Sequence, residues 1–175
     1  MKRKNHIKTL SLDVSSVSTG WSLFMGKVLK DFGTIKLSSS DHIHDRMVKF
    51  KDELSLLIND KRPDVVVIED VWLGVNVSTS KTLSKFSGIA EETSYRIMKE
   101  RPIIITNKEV KGFFKCKSKE DLYKFVIDIL NLSTILDDYK KHNDITDSIA
   151  QAVYYIDNNL YDIRFDKEYG FLFII

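Results

Sequence analysis

Hydrophobic and polar positions follow two periods along this chain, and the switches between them mark its elements. Residues 7–14, 20–25 and 27–37 carry β-branched, aromatic and leucine residues around a Ser/Thr/Gly turn, which predicts three antiparallel strands. Across residues 41–59 the apolar side chains Met47, Phe50, Leu54, Leu57 and Ile58 recur at helical spacing with charges between them, predicting an amphipathic helix. Arg62-Pro63-Asp64 ends that helix, and Val65-Val66-Val67-Ile68 then runs as a continuous apolar strand, buried on both faces and closed by Glu69. Residues 80–99 return to the helical period, and Pro102 opens a strand at Ile103-Ile104-Ile105. Residues 119–132 and 143–158 give two further helices. Helix followed by strand implies a parallel portion of sheet beside the antiparallel one, so the expected class is α/β, with a five-stranded mixed sheet flanked by helices. Residues 1–158 are expected to form one domain and 159–175 an extension of it, whose end, Phe171-Leu172-Phe173-Ile174-Ile175, is either an added strand or an interface patch.

Composition changes this picture little. The 175 residues are 43% hydrophobic and 30% charged, enough for one domain with a sizeable core. A formal net charge of +2 is too mild to imply a nucleic-acid partner by itself. The single cysteine, Cys116, excludes an intrachain disulfide and reads first as a core residue. The basic start Met1-Lys2-Arg3-Lys4 lacks the apolar core of a signal peptide, and no stretch reaches the roughly 18 apolar residues of a membrane span. A cytoplasmic protein with no membrane partner is expected, and no small-molecule cofactor.

Four acidic residues carry the chemistry. Asp13 and Glu69 end apolar strands, where a carboxylate is costly unless it has a partner. Asp144 and Asp147 stand three residues apart on the last helix, about 60° around its axis, so both can face one site. Three of them have a bland alternative: Asp13 as a turn-starting residue, Glu69 as an exposed strand end, Asp144 as a helix N-cap or first-turn acid. Taken together they fit a shared cation. Two divalent ions about 3.5–4 Å apart would offset the like charges, generate a hydroxide and stabilise the leaving oxygen of a phosphodiester.

Three segments resemble the RuvC family of Holliday junction resolvases in order and spacing. Leu12-Asp13-Val14-Ser15-Ser16-Val17-Ser18-Thr19-Gly20-Trp21 is similar to its first strand and turn, Pro63 to Trp72 to its second acidic strand, and Asn143-Asp144-Ile145-Thr146-Asp147-Ser148-Ile149-Ala150 to its closing helix. The resemblance implies a ribonuclease-H-like fold, a homodimer on four-way DNA junctions, and paired nicks near the crossover. By position, Asp13, Glu69, Asp144 and Asp147 would be the magnesium ligands, two ions per site with manganese able to substitute. Trp72 falls where the family places an aromatic against DNA bases, its alternative being an ordinary partly buried tryptophan. The turn after Asp13 lacks the family's early glycine, which puts junction selectivity in question more than catalysis.

A lysine-rich stretch supports a nucleic-acid partner independently. From Arg101 to Lys119 the chain holds Lys108, Lys111, Lys115, Lys117 and Lys119, with Glu109 the one acid, a pattern that suits a phosphate-binding strip or a solvated loop and helix start. By resemblance Lys111 and Lys119 fall near lysines used for DNA contact and for transition-state charge, Lys119 being the catalytic candidate. Lys81 and Lys85 either extend the strip or solvate their helix. Leu83, Phe86 and Ile89 form a stripe that either joins two protomers or packs on the sheet. The expected activity is magnesium-dependent resolution of four-way junctions, in a bacterial or phage-infected cell. The alternatives are a broader nuclease for forks, flaps and three-way branches, a non-catalytic junction binder, and a nucleotide-binding protein of the actin and sugar-kinase type. Seven glycines scattered along a short chain count against the last of these.

Overall fold

The computed structural model describes residues 6–71, 77–159 and 172–173. Strands β1 (Lys8–Asp13), β2 (Ser18–Met25) and β3 (Val28–Lys36) form the antiparallel meander, followed by α1 (Ile43–Lys61), β4 (Val65–Glu69), α2 (Val77–Met98) and β5 (Ile103–Ile105). Three helices come next, α3 (Asn107–Phe114), α4 (Lys119–Leu130) and α5 (Tyr139–Asn159), and a two-residue strand β6 (Leu172–Phe173) closes the order. The sheet runs β5-β4-β1-β2-β3-β6, with β4 and β5 parallel to β1 and β6 parallel to β3. The five expected strands are thus all present, and Leu172 and Phe173 resolve the apolar end in favour of an added strand. The rest of that end, Phe171, Ile174 and Ile175, lies outside the described residues.

The strands alternate cleanly between two faces because successive side chains point opposite ways. Leu10, Leu12, Leu23, Ile35, Val66 and Ile68 pack with Phe50, Leu54 and Ile58 of α1 and Phe86 and Ala90 of α2. Phe86 is fully buried and Ile89 packs against the same cluster, so that part of the expected stripe serves the core. On the other face lies a second cluster built from α3, α4 and α5, with Phe24 and Val67 from the sheet.

Two details differ from the expectation. Residues 107–114 form a helix, where a strip or loop was read, because Thr106 and Glu109 make a reciprocal capping box: the Thr106 hydroxyl accepts from the Glu109 N–H and the Glu109 carboxylate accepts from the Thr106 N–H. Helix α5 begins at Tyr139, which places Asp144 inside the helix and removes its reading as a cap.

Candidate metal centre and its basic wall

Asp13 pairs with Gly20 across β1 and β2, at the end of β1 that lies beside the end of β4 carrying Glu69. Helix α5 crosses this face, and it comes close because of Gly20. A Cβ built there would collide with the Asp144 carbonyl oxygen, so only glycine admits the helix backbone at this depth. Asp144 and Asp147 are thereby held over the strand ends. The half-buried Asp13 and Glu69 line one open pocket of about 1220 Å³ together with Asp144, Lys119, Lys108, Lys111 and Lys115.

The electrostatics tie the four acids to one another. Burial pushes the Asp13 carboxyl well above its ordinary range, Glu69 and Asp147 push it further, and Asp144 adds to this against the opposing charge of Lys119. Asp13 is enclosed by protein yet keeps a face open to the pocket, and among the described residues no hydrogen-bond donor meets its carboxylate. Asp147 is only 3% exposed and is raised by burial, even though the Lys119 Nζ donates to its Oδ2 at 2.5 Å. Burial opposes the charge on Lys119, but Asp147, Asp13 and Glu69 outweigh it and raise its pKa above the usual lysine range. Lys119 is therefore a fixed cation among the carboxylates. Glu69 is held differently, accepting from Asn107 Nδ2 at 3.0 Å and from Gln151 Nε2 at 2.7 Å.

Among the described residues no three carboxylates stand close enough to form a ready-made coordination shell. The donor set nevertheless fits a hard divalent cation: it is all oxygen, its acidic neighbours raise the proton affinity of Asp13, and among the described residues the Asp13 carboxylate has no protein donor to displace. An octahedral ion that keeps several waters needs only one or two direct carboxylates from the protein.

Of the basic residues expected at a DNA surface, Lys108, Lys111, Lys115 and Lys119 reach the pocket, the first three from α3 and its end. Lys117, Lys81 and Lys85 are exposed and do not line it. Trp72 lies outside the described residues. Ser78, Thr79, Thr82 and Leu83 of α2 form the facing wall, so Leu83 belongs to the pocket rather than to a buried stripe. Half-buried Cys116 lines the rim, with burial pushing its thiol pKa up. Sequence reading missed Asn107 and the burial of Gln151. Gln151 carried a signal, since it falls one helical turn after Asp147 on the same side of α5.

A mixed sheet in this order, with carboxylates at the ends of β1 and β4 and on the last helix, defines a ribonuclease-H-like nuclease. The family model described as crossover junction endodeoxyribonuclease RuvC matches residues 10–155, and the chain belongs to that family. Among curated relatives it is 28% identical over 127 residues to the RuvC of Ruminiclostridium cellulolyticum, covering 70% of this chain and 73% of that one. It is 26% identical over 159 residues to the RuvC of Caldicellulosiruptor saccharolyticus, covering 86% and 92%. Among solved structures, Thermus thermophilus RuvC in complex with a Holliday junction substrate matches with a TM-score of 0.72 at 14% identity over 89% of this chain and 98% of that one. The yeast mitochondrial Holliday junction resolvase matches with a TM-score of 0.60 at 12% identity, covering 86% and 78%. Members of the family are metal-dependent nucleases. No helix among the described residues is long and apolar enough to cross a membrane.

Proposed function

We propose that this chain, a Holliday junction resolving endonuclease by family, cuts with a centre made of Asp13, Glu69, Asp144 and Asp147. The observation that carries the assignment is the convergence of Asp13, Glu69 and Asp144 on one pocket that Lys119 also lines, with Asp147 bound to that lysine. These residues would hold two magnesium ions, for which manganese can substitute. Bound there, the ions supply an activated water and charge stabilisation at the leaving 3′ oxygen. Lys119, fixed as a cation beside Asp147, offsets charge on the phosphate under attack. Lys108, Lys111 and Lys115 form the wall along which a DNA strand lies, and hydroxyl-bearing Ser78, Thr79 and Thr82 face them. Trp72 takes the aromatic role at the crossover, while Lys81, Lys85 and Lys117 give general attraction to the duplex arms. Two equivalent strands must be cut, so the working form is a homodimer in the bacterial or phage-infected cytoplasm.

The test is magnesium-dependent cleavage of a mobile four-way junction, mapped on every strand. Paired symmetric nicks are expected from the native chain and none from Asp144→Asn. Calcium should support binding without cutting. Unchanged cutting by Asp13→Asn or Glu69→Gln, or efficient cutting in calcium, removes the assignment. A broader branch specificity is favoured by the turn after Asp13. It closes without an early glycine, through Ser15 N–H to Thr19 Oγ1 at 3.1 Å and Thr19 hydroxyl to Ser15 O at 3.1 Å. Rates on four-way, three-way and flap substrates, side by side, separate the two.

A further inference from the structure

Glu69 differs from the other three acids in that both of its oxygens are already engaged by neutral amides. Asn107, the first residue of α3, donates Nδ2 to Oε1 at 3.0 Å, and Gln151 of α5 donates Nε2 to Oε2 at 2.7 Å. The orientation of Gln151 is itself fixed. Fully buried Ser11 on β1 donates its hydroxyl to Gln151 Oε1 at 3.2 Å, and Gln151 is 1% exposed. With its oxygen held by Ser11, the amide presents its nitrogen to Glu69. Four elements therefore meet on one carboxylate: β1 through Ser11, α5 through Gln151, β4 through Glu69 and α3 through Asn107.

We propose that Ser11, Gln151 and Asn107 are positioning residues that clamp Glu69 in its metal-binding orientation. The inference rests on the reading of Glu69 as a metal ligand. A carboxylate oxygen accepts two hydrogen bonds, so one amide on each oxygen leaves a lone pair of each for an ion or its water. The amides bring no charge. They fix the rotamer of a long, flexible side chain without competing for the site as a cation would, and rotamer freedom is what a ligand otherwise surrenders on binding. Outer partners of this kind typically change metal affinity or activity by about 10-fold to 100-fold when removed. The clamp also couples α3, which carries the lysine wall, to the metal site: Asn107 and Lys111 lie one turn apart on the same short helix.

The experiment is Mn2+ binding to the whole 175-residue chain without DNA, followed by loss of the free-ion paramagnetic resonance signal. Native protein is compared with Gln151→Met, Asn107→Ala, Ser11→Ala and Glu69→Gln. Gln151→Met keeps the length and removes the donor. It should raise the Mn2+ dissociation constant about 10-fold or more, with Asn107→Ala and Ser11→Ala giving smaller increases. The magnesium concentration for half-maximal cleavage should rise in parallel, while the rate at saturating metal falls less. For Gln151→Met and Ser11→Ala, junction affinity in metal-free buffer should not move, which a general loss of structure would not spare. Should Gln151→Met fail to fold, half-buried Asn107 at the start of α3 still decides the matter. If the native chain binds Mn2+ and Glu69→Gln weakens it, but the three clamp variants bind within about twofold of native or more tightly, the clamp is wrong and the metal site stands. If the native chain binds no Mn2+, or Glu69→Gln binds as well as native, both fall.

Discussion

The two faces of β1 and β2 are built to opposite rules. Toward α1 and α2 the strands present Leu10, Leu12 and Leu23, all in the apolar core. Toward α5 the same strands present Thr9, Ser11, Asp13, Gly20 and Ser22, small or polar at nearly every step. Burying a leucine side chain contributes roughly 1.5–3 kcal/mol that a serine cannot, so the α5 face gives up apolar stabilisation. What it gains is approach: with small side chains beneath it, α5 settles low enough for Asp144, Asp147 and Gln151 to meet carboxylates at the strand ends. One face supplies cohesion and the other supplies a site, within the same two strands.

The most severe way to break this contrast is Gly20→Ala. The added Cβ meets main-chain atoms of Asp144, which no rotamer can relieve. Overpacking of this kind costs about 1–3 kcal/mol or more, and displacing α5 by even about 1 Å would cost roughly 100-fold in cleavage. Chemical denaturation and cleavage rate per folded molecule measure the two parts. A Gly20→Ala protein that cuts like the native one would show that α5 does not depend on this contact.

Leu54→Ala tests the opposite face. Leu54 is wholly buried between α1 and the sheet, and its truncation should cost about 2–5 kcal/mol of stability. Cleavage per folded molecule should stay at the native rate, because Leu54 itself does not line the pocket. A rate loss beyond the loss of folded protein would mean the faces are not independent.

Asp13→Asn separates function from stability on the α5 face itself. The Asp13 pKa is raised by burial and by its acidic neighbours, so the folded protein holds the Asp13 proton more tightly than the unfolded chain does. Its contribution is therefore most favourable below the unfolded carboxylate pKa and is lost as pH rises through the raised folded value. In chelator the native protein should lose stability over that rise, and Asp13→Asn should flatten the profile. At neutral pH the variant should melt higher, by about 2–4 °C for each kcal/mol relieved, while cutting nothing. Thermal melts across pH check this, and a lower melting temperature for the variant would contradict it.

The apolar face was legible in the sequence because period-2 and period-3.6 patterns are statements about cohesion. Val65 to Ile68 and the Phe50-Leu54-Ile58 series could hardly be read otherwise, and the strands and helices they predict are present. The acids were legible for the converse reason, since Glu69 after four apolar residues is costly without a purpose. Less legible was everything that positions them. Gly20 reads as a turn residue until α5 is known to press on it, and Gln151 reads only as a polar position on its helix until Ser11, 140 residues away, is found beside it. Helix α3 was hidden by its charge, although Thr106 and Glu109 spell its cap. Trp72 remains a reading from sequence alone.

The smallest expected effect sharpens the contrast most finely. Ser22 pairs with Ser11 across β1 and β2, and both hydroxyls are fully buried on the α5 face. Ser11 donates to Gln151, whereas the Ser22 hydroxyl has no hydrogen-bond partner among the described residues. If polar character on this face served solubility or register, the two serines would matter equally. If it serves the site, only the one in contact with Gln151 matters. Ser22→Ala removes an unsatisfied buried hydroxyl while keeping the small volume that α5 requires, so it should leave stability unchanged or raise it by about 1 kcal/mol. Cleavage and Mn2+ affinity should remain native. Ser11→Ala should lower Mn2+ affinity with the same loss of volume, so equal behaviour of the two alanine variants would return the α5 face to mere packing.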